Sequence, residues 1–399
     1  MANGMASLMV GSSGLRSAQT ALNTTAHNLS NVNTQGYTRQ QVTFTDTTYA
    51  NVFSSSIVPG KYGLGVDIGA ISRVRNDFID RSYRTEYSRL GFYESQANAV
   101  YEVEDWFGEM QGVTYQQHIT DLYNSINELT KNPTSTIARS SLIQNATAFI
   151  DRSQAIYSGL KDYQITLNTE VSSMVDKINE LGQKIYSLNK SISKVEAGGV
   201  ERANDLRDTR DLALDELSQY LDIDYYETTD GQIIISAENI PFVSKSEVNT
   251  MDVRQEGQYG LLIPEWPAYE KDVFSFEKAA SNANNNDKGK LKGLLVARGT
   301  IDVNYQDVPV MPDKSDYDLT TAEGMAQYNS AMDDYQKQQD YYNKYIEPSA
   351  ILSAIAGFDK LVNGIVTALN DVLCPEKEVE TTTEMTDDEG NPLQADKYV

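Results

Sequence analysis

Apolar side chains recur at alternating steps of four and three along residues 142–195, and this repeat constrains the fold more than any other feature of the chain. Such a repeat places the apolar side chains on one seam of a helix, as in a coiled coil. At about 1.5 Å per residue the helix would be on the order of 80 Å long, which predicts an elongated molecule. One stutter between residues 160 and 171 relaxes the left-handed supercoil. The repeat consists of Leu142, Ala146, Phe149, Ser153, Ile156, Leu160, Tyr163, Leu167, Val171, Met174, Ile178, Leu181, Ile185, Leu188, Ile192 and Val195.

Other segments share the helical period. A helix is predicted from Asp77 to about Gly108, a short one over residues 119–129, and a highly charged one over residues 201–220 that follows a turn at Gly198 and Gly199. Heptads return without a break over residues 351–372, so we expect that helix to pack against the long one. The stripe of the helix that begins at Asp77 is interrupted only by Glu86 and contains Ile79, Tyr83, Leu90, Tyr93, Ala97 and Val100.

The period changes to two in several short segments, which predicts strands. "QQVTF" and "GLGVDIGAISRVRN" follow the first helix, and "IDYYETTDGQIIISAENIPFVS" indicates a hairpin that turns at Asp230 and Gly231. "GQYGLLIPEW" and "KGLLVARGT" are predicted as further strands, separated by a polar loop, "SNANNNDKGK". Residues 223–299 are therefore predicted to form a small β-rich unit.

These patterns predict a mainly α fold with an inserted β-rich domain, in an elongated chain of several domains. The predicted segments are 1–40 (an amino-terminal helix and loop), 41–222 (a helical rod domain with short β pieces), 223–300 (the β-rich domain), 301–348 (a loop and a polar helix), 349–375 (a returning helix of the rod) and 376–399 (an acidic loop).

Composition excludes several partners. The chain has 33 basic and 57 acidic residues, a net charge of −24, so we expect neither nucleic acid nor a membrane as a partner. No run approaches the apolar length of a membrane span. The amino terminus lacks the basic and long apolar regions of a secretory signal peptide, so any route out of the cell would be a different one.

The residues that usually carry chemistry are scattered. Cys374 is alone, so it can form no intramolecular disulfide, and His27 and His118 lie on different predicted helices without metal-ligand spacing. The charged helix has a series of four aspartates whose side chains are of a type that can bind a metal. The interleaved Arg207 and Arg210 favour an ion-paired, solvated face instead. We therefore predict no cofactor, no metal and no enzyme activity. The acidic series is Asp205, Asp208, Asp211 and Asp215.

The amino-terminal helix, about Met5 to Leu29, has a small and weak apolar seam. Because the seam offers little apolar area, the helix should be marginal in water and should require a partner helix. The seam consists of Leu8, Leu15, Ala18, Leu22 and Leu29, and it runs directly into the polar loop "NLSNVNTQGYTRQ".

The segment from Ser12 to Gln40, "SSGLRSAQTALNTTAHNLSNVNTQGYTRQ", resembles the amino-terminal motif of the bacterial flagellar axial proteins. The continuation "YTRQ", the segment "NDLRDTRDLALDELSQYLDI" before the β unit and "GKLKGLLVARG" before a returning helix resemble the hook-associated members of that family. The resemblance covers essentially the whole chain.

The resemblance implies a structural subunit at the junction of hook and filament, which self-assembles into a ring through helical packing of its terminal segments. It implies export through the flagellar type III apparatus, an extracellular location in the flagellum, and an amino-terminal helix that becomes ordered on assembly. The implied partners are copies of the chain itself, the hook protein, a second hook-associated protein, the export apparatus and an export chaperone.

The family resemblance also gives the polar loop a role, as the joint between an assembly helix and the rest of the subunit. Asn31, Asn33 and Gly36 would let the chain reverse or adopt left-handed geometry. Tyr37 and Arg39 would anchor the loop against neighbouring subunits. An ordinary turn within one chain is the simpler alternative for each residue.

Two alternatives remain open from the sequence. The chain could be another axial protein, a hook or rod subunit, or a coiled-coil scaffold of the cytoplasm. The family ends in a heptad-rich helix that pairs with the first helix, whereas this chain stops at Val399 in a polar segment. We therefore expect a sequence that lacks its carboxy-terminal part, and an amino-terminal helix that frays in solution.

Overall fold

The computed structural model describes residues 2–52, 60–108, 114–199, 202–257 and 260–373. Cys374 and the acidic segment 376–399 lie outside these ranges. The described residues are mainly helical, with small antiparallel sheets, as the sequence predicts. The chain divides into two compact units: Met1–Asn98 with Leu167–Val296, and Ala99–Thr166 with Ala297–Val399 as far as the described residues reach.

The first unit begins with helix α1 (Ala2–Ser30), followed by strands β1 (Gln40–Asp46), β2 (Tyr49–Val52), β3 (Gly60–Gly63) and β4 (Val66–Arg73). β1 pairs with β4 in antiparallel register from Gln40 opposite Arg73 to Asp46 opposite Val66, with a bulge at Thr43 and Phe44. β2 and β3 form a separate two-stranded ribbon. α1 packs on the β1–β4 pair. Among the described elements, no other strand or helix makes comparable contact with α1.

The two longest helices of the described residues are α2 (Asp77–Phe107) and α4 (Thr136–Glu196). Helix α2 ends at Gly108, whose φ of +70° only glycine adopts easily, and helix α4 runs without interruption. The predicted heptad seam of α4 is confirmed, because twelve of its sixteen positions are buried. Helix α3 (Tyr115–Lys131) belongs to the second unit, and helix α5 (Asn204–Tyr220) follows the predicted turn at Gly198 and Gly199.

The β-rich part consists of two three-stranded sheets. Strands β5 (Ile223–Glu227), β6 (Ile233–Ala237) and β7 (Ile240–Val243) form one, and β8 (Asp252–Glu256), β9 (Leu261–Trp266) and β10 (Lys271–Asp272) form the other. The predicted turn is confirmed at Gly231, which has a φ of +77°. The inward faces of β6 and β7 are fully buried at Ile235 and Phe242.

The prediction of a strand at "KGLLVARGT" is wrong. Residues Lys290–Arg298 form a helix, α6, which buries Leu291, Leu294 and Leu295. A short apolar run is compatible with either a buried strand or a buried helix, because it has no polar positions that reveal a period. The β-rich part therefore ends before this helix.

The second unit is completed by helices α7 (Ala322–Tyr345) and α8 (Ala350–Leu373). The first half of α8 is buried, and its Phe358 ring lies 5.1 Å from the ring of Tyr115 and 5.3 Å from that of Phe107. By length and composition alone α8 is apolar enough to cross a membrane, which the sequence pattern had not indicated. A helix that enters the core of its own unit, as α8 does, meets the same criterion.

Candidate assembly interface

The apolar seam of α1 is uncovered. Leu8, Leu15, Leu22 and Leu29 are 74%, 77%, 65% and 74% exposed, and Ala18 between them is exposed as well. We call these five residues the α1 stripe. Burying one leucine side chain is worth about 1.5–3 kcal/mol. Covering the stripe would therefore contribute a substantial favourable free energy that is not gained among the described residues.

The opposite face of α1, which packs on the β1–β4 pair, is polar. Ser17 and Thr24 are buried, the Ser17 hydroxyl donates to the carbonyl oxygen of Val66 at 3.4 Å, and the Val66 N–H donates to Ser13 Oγ at 3.3 Å. α1 therefore contacts its own chain through small hydroxyl side chains and directs its leucines outward. This arrangement is the reverse of an ordinary amphipathic helix on a globular core.

Asn28 fastens the end of α1 to the sheet. Its Oδ1 accepts hydrogen bonds from the backbone N–H of Gln40 at 2.9 Å and from the Tyr37 hydroxyl at 2.7 Å, and its Nδ2 donates to the carbonyl oxygen of Gln40 at 2.9 Å. The side chain thus pairs with Gln40 as a neighbouring strand would. The sequence interpretation did not single out Asn28, although an asparagine at the end of a helix is a known signal for local backbone pairing.

The loop after α1 is closed by turns within the chain. The Asn31 N–H and side-chain amide both donate to the carbonyl oxygen of His27, at 3.2 and 3.0 Å, and Thr34 N–H donates to the carbonyl oxygen of Asn31 at 2.9 Å. Gly36 has the predicted left-handed geometry, with a φ of +79°. Neither Asn31 nor Asn33 has a positive φ, so the chain reverses here through turns, and Asn31 ends the helix with its side chain.

Tyr37 and Arg39 differ in their surroundings. The Tyr37 ring lies 5.6 Å from the His27 ring in an edge-on contact, so Tyr37 has at least one role within its own chain. Partial burial and the nearby carboxylates of Asp205 and Asp208 raise the pKa of Tyr37. Arg39 is exposed, and its carbonyl oxygen accepts from the N–H of Val74 at 2.9 Å. An anchoring role toward neighbouring subunits stays a prediction for both.

Helix α5 clamps the loop and the sheet with acidic side chains. Asp208 accepts from the Thr38 N–H at 3.1 Å, and Asp208 and Asp211 share the guanidinium of Arg73 at 2.8 and 2.6 Å. Asp211 also lies 3.3 Å from Arg75, whose pKa is raised because hydrogen bonding to Asp80 and the surrounding carboxylates outweigh its burial. The joint between α1 and the rest of the unit is therefore held by buried ion pairs.

The ion pairing predicted for the face of α5 is confirmed, whereas its predicted solvation is wrong for two of the carboxylates. Asp208 and Asp211 are buried, and the arginines that pair with the acidic series come from β4, from α2 and from the segment between them; one of them is Arg84, whose Nε lies 2.7 Å from Asp215. Arg207 instead forms a two-point ion pair with Glu196, at 2.7 Å for each contact, and this pair holds the pKa of Glu196 at about 2.

Arg210, the other arginine of the predicted series, is fully buried. It donates to Asn189 Oδ1 at 3.1 Å and to the carbonyl oxygen of Gly231 at 2.6 Å, and burial lowers its pKa to about 10. Within the described ranges, no three His, Cys, Asp or Glu side chains come together as a metal site. This region therefore consists of an exposed apolar surface on α1 and of hydrogen bonds and ion pairs that attach α1 and its loop to the unit.

Two family models match the chain. The model for the flagellar hook-associated protein FlgK helical domain matches residues 100–313, more than half of the chain. The chain belongs to the FlgK family of flagellar hook-associated proteins. The model for the flagella basal body rod protein matches residues 8–38, which include α1 and most of its loop. This family is a structural one of the extracellular flagellum.

Individual relatives agree with the family. Flagellar hook-associated protein 1 of Bacillus subtilis is 29% identical over 335 residues, which are 79% of this chain and 64% of the relative. Its counterpart in Escherichia coli is 27% identical over 228 residues, 57% of this chain and 41% of the relative. Among solved structures, the flagellar hook junction protein FlgK from Burkholderia pseudomallei matches this chain with a TM-score of 0.44 and 18% sequence identity. The matched part is 55% of this chain and 38% of the Burkholderia chain. The chain thus spans less than two thirds of the length of these relatives.

Proposed function

We propose that the chain is the junction subunit between flagellar hook and filament, and that the α1 stripe is an assembly surface. Membership of the hook-associated family supports the first part. The second part is carried by one observation: the four leucines of the stripe remain at least 65% exposed while the polar face of the same helix packs inward. Family membership disfavours the alternatives of a hook or rod subunit and of a cytoplasmic scaffold.

The physical argument concerns where the hydrophobic free energy is gained. A stripe of leucines in water contributes nothing to the stability of a single chain, but it is desolvated when another helix covers it. Because α1 is attached mainly by hydroxyl and amide hydrogen bonds of modest net strength, its full order is gained on association. Such coupled ordering suits a subunit that is exported unfolded and assembles at its destination.

The proposed partners follow from this role. They are further copies of the chain, the hook protein and a second hook-associated protein, with the export apparatus and an export chaperone acting before assembly. Contacts between unlike surfaces of neighbouring copies would generate the helical or ring arrangement of an axial structure.

The test is complementation of a strain from which the gene of this protein has been deleted. The wild-type gene should restore filaments, whereas a Leu15→Asp, Leu22→Asp variant should leave hooks intact and release flagellin into the medium, because the charged side chains prevent burial of the α1 stripe. Ile137→Asp is the matched control, since Ile137 is an 82% exposed aliphatic residue on α4. Export of each variant is checked by immunoblotting of the medium. Filaments of normal number with the double variant would refute the assembly role, and filaments in the uncomplemented deletion strain would refute the junction role.

A further inference from the structure

A second row of residues lies beside the apolar seam of α4. Each member directly follows a residue of the seam, so the row has the same alternating steps of four and three. The row faces the β-rich part of the unit: Gly182 lies against the ring of Phe242 on β7, and the Tyr186 hydroxyl donates to the carbonyl oxygen of Ser246. We call it the flanking row. It consists of Asn168, Ser172, Val175, Asn179, Gly182, Tyr186, Asn189, Ser193 and Glu196.

Two asparagines of the flanking row hold the β8–β9 hairpin by its backbone. Asn179 Oδ1 accepts from the Met251 N–H, and its Nδ2 donates to the Met251 carbonyl oxygen, at 2.9 Å in both cases. Asn168 Oδ1 accepts from the Leu262 N–H at 2.7 Å, and its Nδ2 donates to the carbonyl oxygen of Gly260 at 3.1 Å. Met251 directly precedes β8, and the other two residues flank the first residue of β9. Each asparagine therefore supplies one donor and one acceptor at the start of a strand.

The same contact recurs at the other three-stranded sheet. Asn189 is 1% exposed, accepts from the Ile233 N–H at 3.0 Å and donates to the Ile233 carbonyl oxygen at 2.7 Å, and Ile233 is the first residue of β6. On α1, Asn28 bonds in this way to Gln40, the first residue of β1. Because these hydrogen bonds go to backbone groups, they position the start of a strand independently of its side chains.

The spacing of Asn168 and Asn179 matches the length of the hairpin. The two residues are 11 positions apart, which corresponds to about 16–17 Å along a helix. β8 has five residues, and at about 3.3 Å per residue it spans a similar length. One asparagine contacts the chain just before β8, and the other contacts β9 where it pairs with the far end of β8. The hairpin is therefore attached to α4 at both of its ends.

The intervals between the three asparagines are all different. They are 11 residues for the first pair, 10 for the second and 21 for the outer pair. Any displacement of the sheets along α4 therefore brings at most one asparagine to a strand start. The flanking row alone does not exclude a displacement, because a pattern of four and three superimposes on itself after seven residues. A displacement of seven residues would place Val175, Tyr186 and Glu196 at the strand starts, and the backbone groups there would lose their partners.

We propose that Asn168, Asn179 and Asn189 determine the position of the two sheets along α4, so that the unit packs in a single register. Gly182, which leaves room for the ring of Phe242, favours the same register. A buried asparagine sets the register of a coiled coil in a similar way, except that here the partners are backbone groups of strands. The inference concerns one copy of the chain and does not depend on the role of the α1 stripe.

The test displaces the β8–β9 hairpin alone. Spin labels on Ser187→Cys and Gln255→Cys, in a Cys374→Ser background, report the distance between α4 and the hairpin by double electron–electron resonance. Both labelled positions are exposed. Gln255 pairs with Leu262, next to Asn168, so the separation of the two labels lies largely along the helix.

The variant is Asn168→Ala with Asn179→Ala. The labelled pair on the hairpin should then show a second population displaced by about 5–10 Å, which is one or two positions of the flanking row. A second labelled pair, Ser173→Cys with Glu247→Cys, is the internal reference, because it reports the sheet that Asn189 still holds. The reference distance should stay the same in the variant.

The matched control is Ser172→Ala with Ser193→Ala. These side chains belong to the same row and make no hydrogen bond to a strand among the described residues, so both distances should stay the same. Circular dichroism shows whether each variant is folded. If the double asparagine variant does not fold, Asn168→Ala and Asn179→Ala are measured singly. Each retains one of the two contacts, so the hairpin distance should keep its mean and become more broadly distributed.

A hairpin distance that keeps its wild-type mean and width in the double variant would overturn the proposal. The same result in both single variants would overturn it where the double variant does not fold. A purely stabilising role of the asparagines predicts this unchanged distance together with a lower midpoint of urea denaturation. An equal displacement of the reference pair, or a displacement in the serine control, would also overturn the proposal, because neither depends on the contacts of the hairpin asparagines. None of these outcomes alters the proposed junction role.

Discussion

Replacing Asn28 by alanine should release α1 from the sheet while leaving the rest of the unit folded. The substitution removes the hydrogen bonds of Asn28 to Gln40 N–H (2.9 Å), Gln40 C=O (2.9 Å) and the Tyr37 hydroxyl (2.7 Å). Each such hydrogen bond contributes about 0.5–1.5 kcal/mol net to stability. Because Asn28 is only half-buried, water can replace part of the lost hydrogen bonding in the variant. We expect a local cost of about 2–3 kcal/mol.

The assay is native-state amide hydrogen exchange of the purified chain. A local cost of that size corresponds to about 30- to 160-fold faster exchange of Gln40 and of the last turns of α1. Exchange along the buried part of α4 should be unchanged, because that helix does not depend on Asn28. The first turns of α1 are expected to fray in the wild-type chain. Their exchange rate therefore gives, within the same data, the highest rate that release of the rest of α1 can produce.

Two matched variants sharpen the reasoning. Asn23→Ala removes an exposed asparagine that bonds only to Gln19 at 3.2 Å among the contacts of the described residues, so exchange should hardly change. Asn28→Asp keeps the two acceptor contacts but places a carboxylate oxygen against the Gln40 carbonyl oxygen, so its effect should be intermediate. Unchanged exchange in Asn28→Ala, or equal effects of Asn28→Ala and Asn23→Ala, would refute the view that Asn28 holds the joint.

Three further substitutions test the fastening of the first unit. Asp211→Ala leaves the three surrounding arginines without this carboxylate, so we expect a loss of about 3–5 kcal/mol in the free energy of unfolding, measured by urea denaturation; a loss below 1 kcal/mol would contradict a buried ion-pair network. Glu196 has a pKa of about 2 instead of its ordinary 4.5, so its pair with Arg207 stabilises the folded state above pH 4.5 and loses this effect as the pH falls toward 2. Glu196→Gln should therefore lower stability by on the order of 2 kcal/mol at pH 7, and the difference from wild type should vanish near pH 2 in denaturation curves recorded across this range. Gly182→Ala places a Cβ against the aromatic ring of β7 and should cost about 1–3 kcal/mol, whereas Gly198→Ala meets open space and should be nearly neutral in thermal melts.

The sequence predicted those parts of the fold that depend on local periodicity. The seam of α4 and the turn at Gly231 follow from spacing and turn chemistry within a few residues, so they can be recognised without tertiary information. Helix α6 could not be assigned, because its apolar run is buried on all sides and has no period to detect.

The candidate site was predicted only in part, for a different reason. The residues of the α1 stripe were identified correctly as one face of a helix, but periodicity does not tell which face packs inward. The partners of Asp208 and Asp211 were missed because Arg73 lies 135 and 138 residues away along the chain. Contacts of that separation depend on how the sheet and α5 meet, which no local pattern encodes.

Because the polar face of α1 packs inward and its apolar face is exposed, the free energy of folding and the free energy of association depend on different residues of this helix. In most amphipathic helices they depend on the same residues. In an ordinary amphipathic helix the apolar face determines both folding and any association, so a substitution there changes both. In α1, Ser13, Ser17 and Asn28 attach the helix to its own chain, whereas the leucines remain available to another surface. Substitutions on the polar face should therefore change local order in the isolated chain, and substitutions in the α1 stripe should change association alone. If leucine variants altered exchange of α1 in the isolated chain as strongly as Asn28→Ala, the two free energies would be coupled and the separation would fail.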